Sequence, residues 1–134
     1  HGPGGRTVYD PELHQESVLI MGGIGVTPLL SMARTLYENK TLKNNKIAIF
    51  NSVKNEEEWS FRNLFSELDQ DERVTVKTIF SHKDGHLAWD SLDVSFRDPH
   101  YFLCGPPNMI EEISQGLLKE KLVPRDHVHF EKWW

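Results

Sequence analysis

Four consecutive apolar residues, Val18-Leu19-Ile20-Met21, suit a strand covered on both faces, and Leu29, Met32, Ala33 and Leu36 beyond them fall at helical spacing. Between these patterns stand Gly22, Gly23, Ile24, Gly25, Val26, Thr27 and Pro28. Thr27 is placed to cap the helix and Pro28 to take its first position, where a missing amide hydrogen costs nothing. The glycines let the chain turn sharply and let an anionic group approach the backbone at the positive end of the helix. Taken alone, they serve a plain tight connection equally well.

The same alternation continues along the chain. Polar Glu38 to Asn45 makes a loop, and Lys46-Ile47-Ala48-Ile49-Phe50 a second strand. Asn55 and Glu58 form a capping box before Phe61, Leu64, Phe65 and Leu68, the apolar stripe of an amphipathic helix. Val74 to Phe80 is a third strand rich in β-branched residues, Asp84-Gly85-His86 a turn, and Ala88 to Phe96 an ambiguous region with room for a short helix. Beyond Pro99, His100 to Cys104 is a fourth strand that runs straight into Gly105-Pro106-Pro107. Met109, Ile110, Ile113, Leu117 and Leu118 line a helix expected to carry Glu111 and Glu112 in its first turn and to end by Pro124. Val128 and Phe130 alternate with His127, His129 and Glu131 in a last strand.

Five strands alternating with helices predict an α/β fold, a parallel sheet of order 3-2-1-4-5 with right-handed crossovers and helices on both faces. In that order the chain reverses between strands 1 and 4, and a crevice forms at their carboxyl ends. The glycine turns after Met21 and after Cys104 both open onto it, which favours a nucleotide site over two unrelated tight turns.

Composition narrows the function more than the fold. The 134 residues suit one domain, and a net charge of −5 with 15 scattered basic residues offers no footprint for nucleic acid or an anionic membrane. One cysteine allows no internal disulfide and fits a reducing, cytoplasmic setting; no signal peptide or membrane-length apolar run occurs. The seven histidines lack zinc-site spacing, so no metal site is expected and they are read as surface residues. No Gly-x-Ser-x-Gly elbow or Walker sequence supports a hydrolase. A Rossmann domain that prefers NAD ends its second strand near a carboxylate, whereas here Asn51, Ser52, Val53 and Lys54 follow. Ser52 and Lys54 can receive a 2′-phosphate, but the nearest arginine is Arg62, so NADH and NADPH both stay open.

Gly22-Gly23-Ile24-Gly25-Val26-Thr27-Pro28 departs from G-x-G-x-x-G and resembles the G-G-x-G-x-T-P turn of the ferredoxin-NADP reductase family. Cys104-Gly105-Pro106-Pro107-Asn108-Met109 resembles that family's C-G-P-P-x-M motif, and Glu131, Trp133 and Trp134 its acidic and aromatic tail. The resemblance implies that residues 15–134 are an NAD(P)-binding domain and that Gly2, Pro3 and Gly5 belong to the tail of a flavin-binding domain, with a linker or tag as the other reading of 1–14. It further implies that Cys104 lies beside the nicotinamide, that Gly105, Pro106, Pro107, Asn108 and Met109 support the nicotinamide half, that Glu131 approaches the reacting centre, and that Trp133 or Trp134 covers the flavin.

On that reading NAD(P)H delivers hydride to FAD in a partner domain, which passes electrons to an iron-sulfur protein, haem or ferric chelate, as a membrane-attached parent would also allow. A non-catalytic nucleotide-binding regulatory or electron-transfer subunit is the alternative, separated from the first by the tail that only flavin docking needs. A flavodoxin-like or receiver domain would leave both glycine turns unexplained.

Overall fold

A computed structural model describes residues 16–22, 33–35, 38, 44–55, 62–85, 87–92 and 96–132. The expected domain tail at 1–14, the turn from Gly23 to Pro28, the Asn55/Glu58 box at Glu58 and the pair Trp133-Trp134 lie outside the described residues.

The strands are β1 (Glu16–Gly22), β2 (Lys46–Val53), β3 (Val74–Phe80), β4 (His100–Gly105) and β5 (Val128–Lys132), joined in one parallel sheet of order β3-β2-β1-β4-β5. The central strand β1 carries the unbroken apolar run, because a strand paired on both edges and covered on both faces leaves no side chain in water. Alternate residues then divide between two cores. Leu19, Met21, Ile49 and Phe102 meet Phe65 and Leu68 of helix α1 (Arg62–Asp69) on one face. Val18, Ile20, Phe50 and Leu103 meet Ile110, Ile113 and Leu117 of helix α3 (Pro107–Lys119) on the other. Between β3 and β4 run helix α2 (Ser81–Asp84), Gly85 at φ 84°, and a 3-10 turn at Trp89–Ser91, the short helix that the ambiguous region had room for.

Several element ends differ from the sequence expectation. β2 continues three residues past Phe50, because Asn51, Ser52 and Val53 have strand partners in β3, and Asn51 and Ser52 in β1 as well; a ladder with both edges bonded tolerates polar side chains. α3 starts at Pro107, with Pro106 as its N-cap, so Glu111 and Glu112 fall in its second turn, where the helix dipole acts weakly. It also closes at Lys119, ahead of Pro124, through Leu122 at φ 56° and a hydrogen bond from the Val123 amide to the Leu117 carbonyl at 2.9 Å. Leu122 is 77% exposed and contributes no packing, so its left-handed backbone is an uncompensated cost. Leu122→Gly should stabilise the domain by about 1 kcal/mol, read as a higher midpoint in urea unfolding with an unchanged slope.

The histidines also depart from the surface placement expected of them. His100, His127 and His129 are half-buried and stacked at the amino ends of β4 and β5, far along the strands from the crevice. Among the described residues no group of three or more ligating side chains could hold a metal ion.

Candidate functional site

Where the sheet order reverses, the carboxyl ends of β1 and β4 leave a cleft of about 530 Å³. That is the size of an ordinary small-molecule site. Gly22 closes β1, Ser52 and Lys54 come from the end of β2, and Pro106, Asn108 and Met109 from the β4–α3 junction. The absence of a side chain on Gly105 is a packing requirement. A Cβ on Gly105, at φ +156°, would stand 3.1 Å from the Gly22 carbonyl oxygen and 3.2 Å from its Cα. A Cβ on Gly22 would stand 2.6 Å from the Met109 sulfur. The two strand ends therefore touch through bare backbone, and the Met109 thioether lies across both.

α3 presents its amino end to this cleft. Pro106 caps it without a side-chain hydrogen bond, Pro107 has no amide hydrogen, and the first bond into the helix runs from the Ile110 amide to the Pro106 carbonyl at 3.1 Å. No side chain of the N-cap competes for the first-turn amides of Asn108 and Met109, and the helix dipole makes that end attractive to an anion.

The other residues singled out in the sequence are distributed as follows. Pro107 is the first residue of α3 and half-buried. Cys104 is fully buried among Met21, Leu19 and Phe102, and in strand register it is the direct neighbour of Glu131 on β5. Asn51 is fully buried with neither side-chain amide atom hydrogen-bonded, and strand alternation puts it on the opposite face of β2 from Ser52. The positions Gly23, Ile24, Gly25, Val26, Thr27, Pro28, Trp133 and Trp134 are outside the described residues. Burial raises the phenol of Tyr101 above its ordinary value; it packs in the α3-side core and stays protonated.

Ser81, Leu87 and Glu112 also line the cleft, and the sequence reading had not marked them as site residues. Two had a signal: Ser81 follows the last residue of β3, and Glu112 lies one helical turn beyond Asn108. Leu87 had none, since an isolated leucine after a turn reads as core.

The sequence profile of the family described as "Oxidoreductase NAD-binding domain" matches residues 19–115, which contain both glycine junctions. The chain belongs to the oxidoreductase NAD-binding domain family. Flavohemoprotein A of Dictyostelium discoideum is 30% identical over 134 residues, covering 96% of this chain and 33% of that protein. Oxidoreductase NAD-binding domain-containing protein 1 of Homo sapiens is 28% identical over 158 residues, covering 98% of this chain and 50% of that protein. The chain thus spans a third to a half of the length of these relatives. Among solved structures, the flavohemoglobin of Malassezia yamatoensis with bound FAD and heme is similar with a TM-score of 0.76 and 25% identity, over 93% of this chain and 33% of that one. The FAD/NAD-binding domain of the Vibrio cholerae nitric oxide dioxygenase shares the fold at a TM-score of 0.78 and 22% identity, over 96% of this chain and 55% of that one. As an oxidoreductase NAD-binding domain, the chain has its cleft at the switch point where this fold binds dinucleotides. No helix among the described residues is long and apolar enough to cross a membrane.

Proposed function

We propose that this domain holds NAD(P)H for hydride transfer to an FAD bound by a flavin-binding domain of the same parent protein. The observation that carries this reading is the switch-point cleft, lined at once by Gly22, Ser52, Lys54, Asn108 and Met109. A dinucleotide fits the residues present: its diphosphate needs backbone without Cβ atoms and free amides, offered by Gly22, Gly105, Asn108 and Met109, and its rings need an apolar wall, offered by Met109 and Leu87. The turn Gly23 to Pro28 completes the diphosphate cradle by resemblance. Bound cofactors supply the redox chemistry, so the chain's residues need position and exclude water but move no proton. Cys104 and Glu131, adjacent in register at the carboxyl edge, are assigned to the nicotinamide end, with Trp133 or Trp134 next to the flavin. The flavohemoprotein relatives support haem as the onward acceptor, with an iron-sulfur protein or ferric chelate as the other classes.

Anaerobic stopped-flow mixing of the parent protein with NADH or NADPH should bleach its flavin, and failure with both coenzymes would sink the proposal. Cys104→Ala should slow the limiting reduction rate about tenfold, on the order of 1.4 kcal/mol of barrier, with the coenzyme dissociation constant nearly unchanged. An unaltered rate would reduce Cys104 to a core residue.

At the adenosine end, Ser52, Lys54 and Ser81 line the cleft, and among the described residues the ends of β2 and β3 contribute no carboxylate to it. Asp84, the first carboxylate after β3, accepts the Phe80 amide at 3.2 Å and is committed to its own turn. Lys54→Glu should therefore weaken NADPH about tenfold more than NADH, because only NADPH carries the 2′-phosphate. Equal losses by calorimetry would remove Lys54 from the adenosine pocket.

A further inference from the structure

The walls of the switch-point cleft differ in chemistry. From the ends of β2 and β3, Ser52, Lys54 and Ser81 bring hydroxyls and an ammonium, all able to donate hydrogen bonds. From the other side α3 contributes Asn108, Met109 and Glu112, and the nearly buried Leu87 joins Met109 in the apolar part of the lining. Glu112 is the one carboxylate among the described residues that line the cleft. It stands three residues beyond Met109 and four beyond Asn108, which puts all three on one flank of the helix, while Ile110 and Ile113 turn into the core. Among the described residues no hydrogen bond or ion pair engages its carboxylate, and Lys54 does not neutralise it.

We propose that Glu112 reads the base of the coenzyme, its carboxylate accepting a hydrogen bond from the exocyclic amino group of an adenine packed on Met109 and Leu87. This rests on the function proposed above and adds to it a selection for adenine over purines that carry an oxygen at the same ring position. A carboxylate only accepts, so its natural match here is a donor on the ligand, in a cleft that otherwise attracts anions through Lys54 and the amino end of α3. A dinucleotide has three kinds of donor: the ribose hydroxyls, the nicotinamide carboxamide and the adenine amino group. The hydroxyls both donate and accept, as the Ser52 and Ser81 hydroxyls do on the other wall. The carboxamide goes with the nicotinamide, which is assigned to the Cys104 end. The amino group stands on the rim of a flat, largely apolar ring, and such a ring needs an apolar wall with an acceptor beside it. Met109 supplies a polarisable thioether suited to an aromatic ring, and Glu112 lies one helical turn from it.

A carboxylate set at the ribose would act differently. It would oppose the 2′-phosphate of NADPH, against the ammonium and hydroxyls that the same cleft offers to a phosphate.

Calorimetry of the chain with NADH and with reduced nicotinamide hypoxanthine dinucleotide tests the assignment, because the analogue carries a carbonyl oxygen where adenine has its amino group. The unaltered chain should bind NADH about tenfold more tightly, since the analogue loses a hydrogen bond to a charged group and sets an oxygen against it. Glu112→Gln, whose amide can accept from the amino group or donate to the oxygen, should bring the two affinities within about twofold. Glu111→Gln, exposed and outside the cleft lining, should leave the preference for NADH unchanged. Equal affinities in the unaltered chain, or a preference that survives Glu112→Gln, would overturn the proposal. So would a Glu112→Gln variant that alters only the ratio of NADPH to NADH affinity, because that places the carboxylate at the ribose. Absence of NADH binding by the unaltered chain is a separate result, which removes the coenzyme site and this assignment with it. Glu112 is exposed on its helix, and circular dichroism verifies that the variant keeps the fold.

Discussion

Gly105→Val is expected to lower NAD(P)H affinity at least tenfold, on the order of 1.4 kcal/mol, and to destabilise the domain by about 1–3 kcal/mol. Both effects follow from one contact. A side chain at 105 meets the backbone of Gly22 at 3.1 to 3.2 Å, and that backbone, paired with Ser52 of β2 and following Met21, which is paired on both edges, cannot swing aside as a side-chain terminus can. The strand ends must part, and the cleft they frame changes shape with them. Gly22→Ala is the informative contrast, because its Cβ meets the flexible end of Met109 and the Pro106 ring carbon at 3.2 Å, and only the backbone clash at 105 is unavoidable. Isothermal calorimetry with NADH and NADPH, together with urea unfolding, separates binding from stability. If Gly105→Val binds both coenzymes as tightly as the unaltered chain, the junction of β1 and β4 is not the dinucleotide site.

Gly116→Ala is expected to cost about 1–3 kcal/mol of stability even though alanine is the better helix former by roughly 1 kcal/mol. The two terms have opposite signs, and the structure shows which wins. A Cβ at 116 would overlap the Trp89 ring, which lies against α3 at that position. The ring can leave only by giving up its packing on the α3-side core, and the 3-10 turn that carries it is also tied to the segment just past α3 by Lys121 Nζ donating to the Leu92 carbonyl at 3.2 Å. Because α3 presents Asn108 and Met109 to the cleft from its other end, a shifted helix should weaken coenzyme binding too. A rise in the unfolding midpoint would show that Trp89 repacks freely; Trp89→Ala/Gly116→Ala should then recover helix propensity without the clash.

Fold and site were legible to different depths. The apolar run of β1 and the helical stripe of α3 specify burial by themselves, and connections that cross over right-handed leave few sheet orders for five such strands. The local pattern was weakest where partners override it. Asn51-Ser52-Val53 reads as loop chemistry yet is strand, because two neighbouring ladders satisfy its backbone. Leu122, not Pro124, turns the chain out of α3, and nothing in a leucine announces a left-handed residue.

For the site, the sequence by itself determined that Gly22 and Gly105 close two neighbouring parallel strands and that a proline opens the helix after the second, because a proline at a helix start has no amide hydrogen to leave unpaired. Cys104 and Glu131 were legible as strand-end residues of neighbouring strands, and the β4–β5 register pairs them. Only the tertiary structure decided which groups share the cleft: Ser81, Leu87 and Glu112 come from separate elements, and their proximity is a product of sheet order and helix placement, not of spacing. The same holds for the three histidines. His127 and His129 alternate along the chain, but nothing in that pattern joins them to His100, and two parallel strands with the 3-10 turn Arg125–His127 before the second bring the three within stacking distance; a residue's neighbours across a sheet are set by register, which a one-dimensional pattern does not contain.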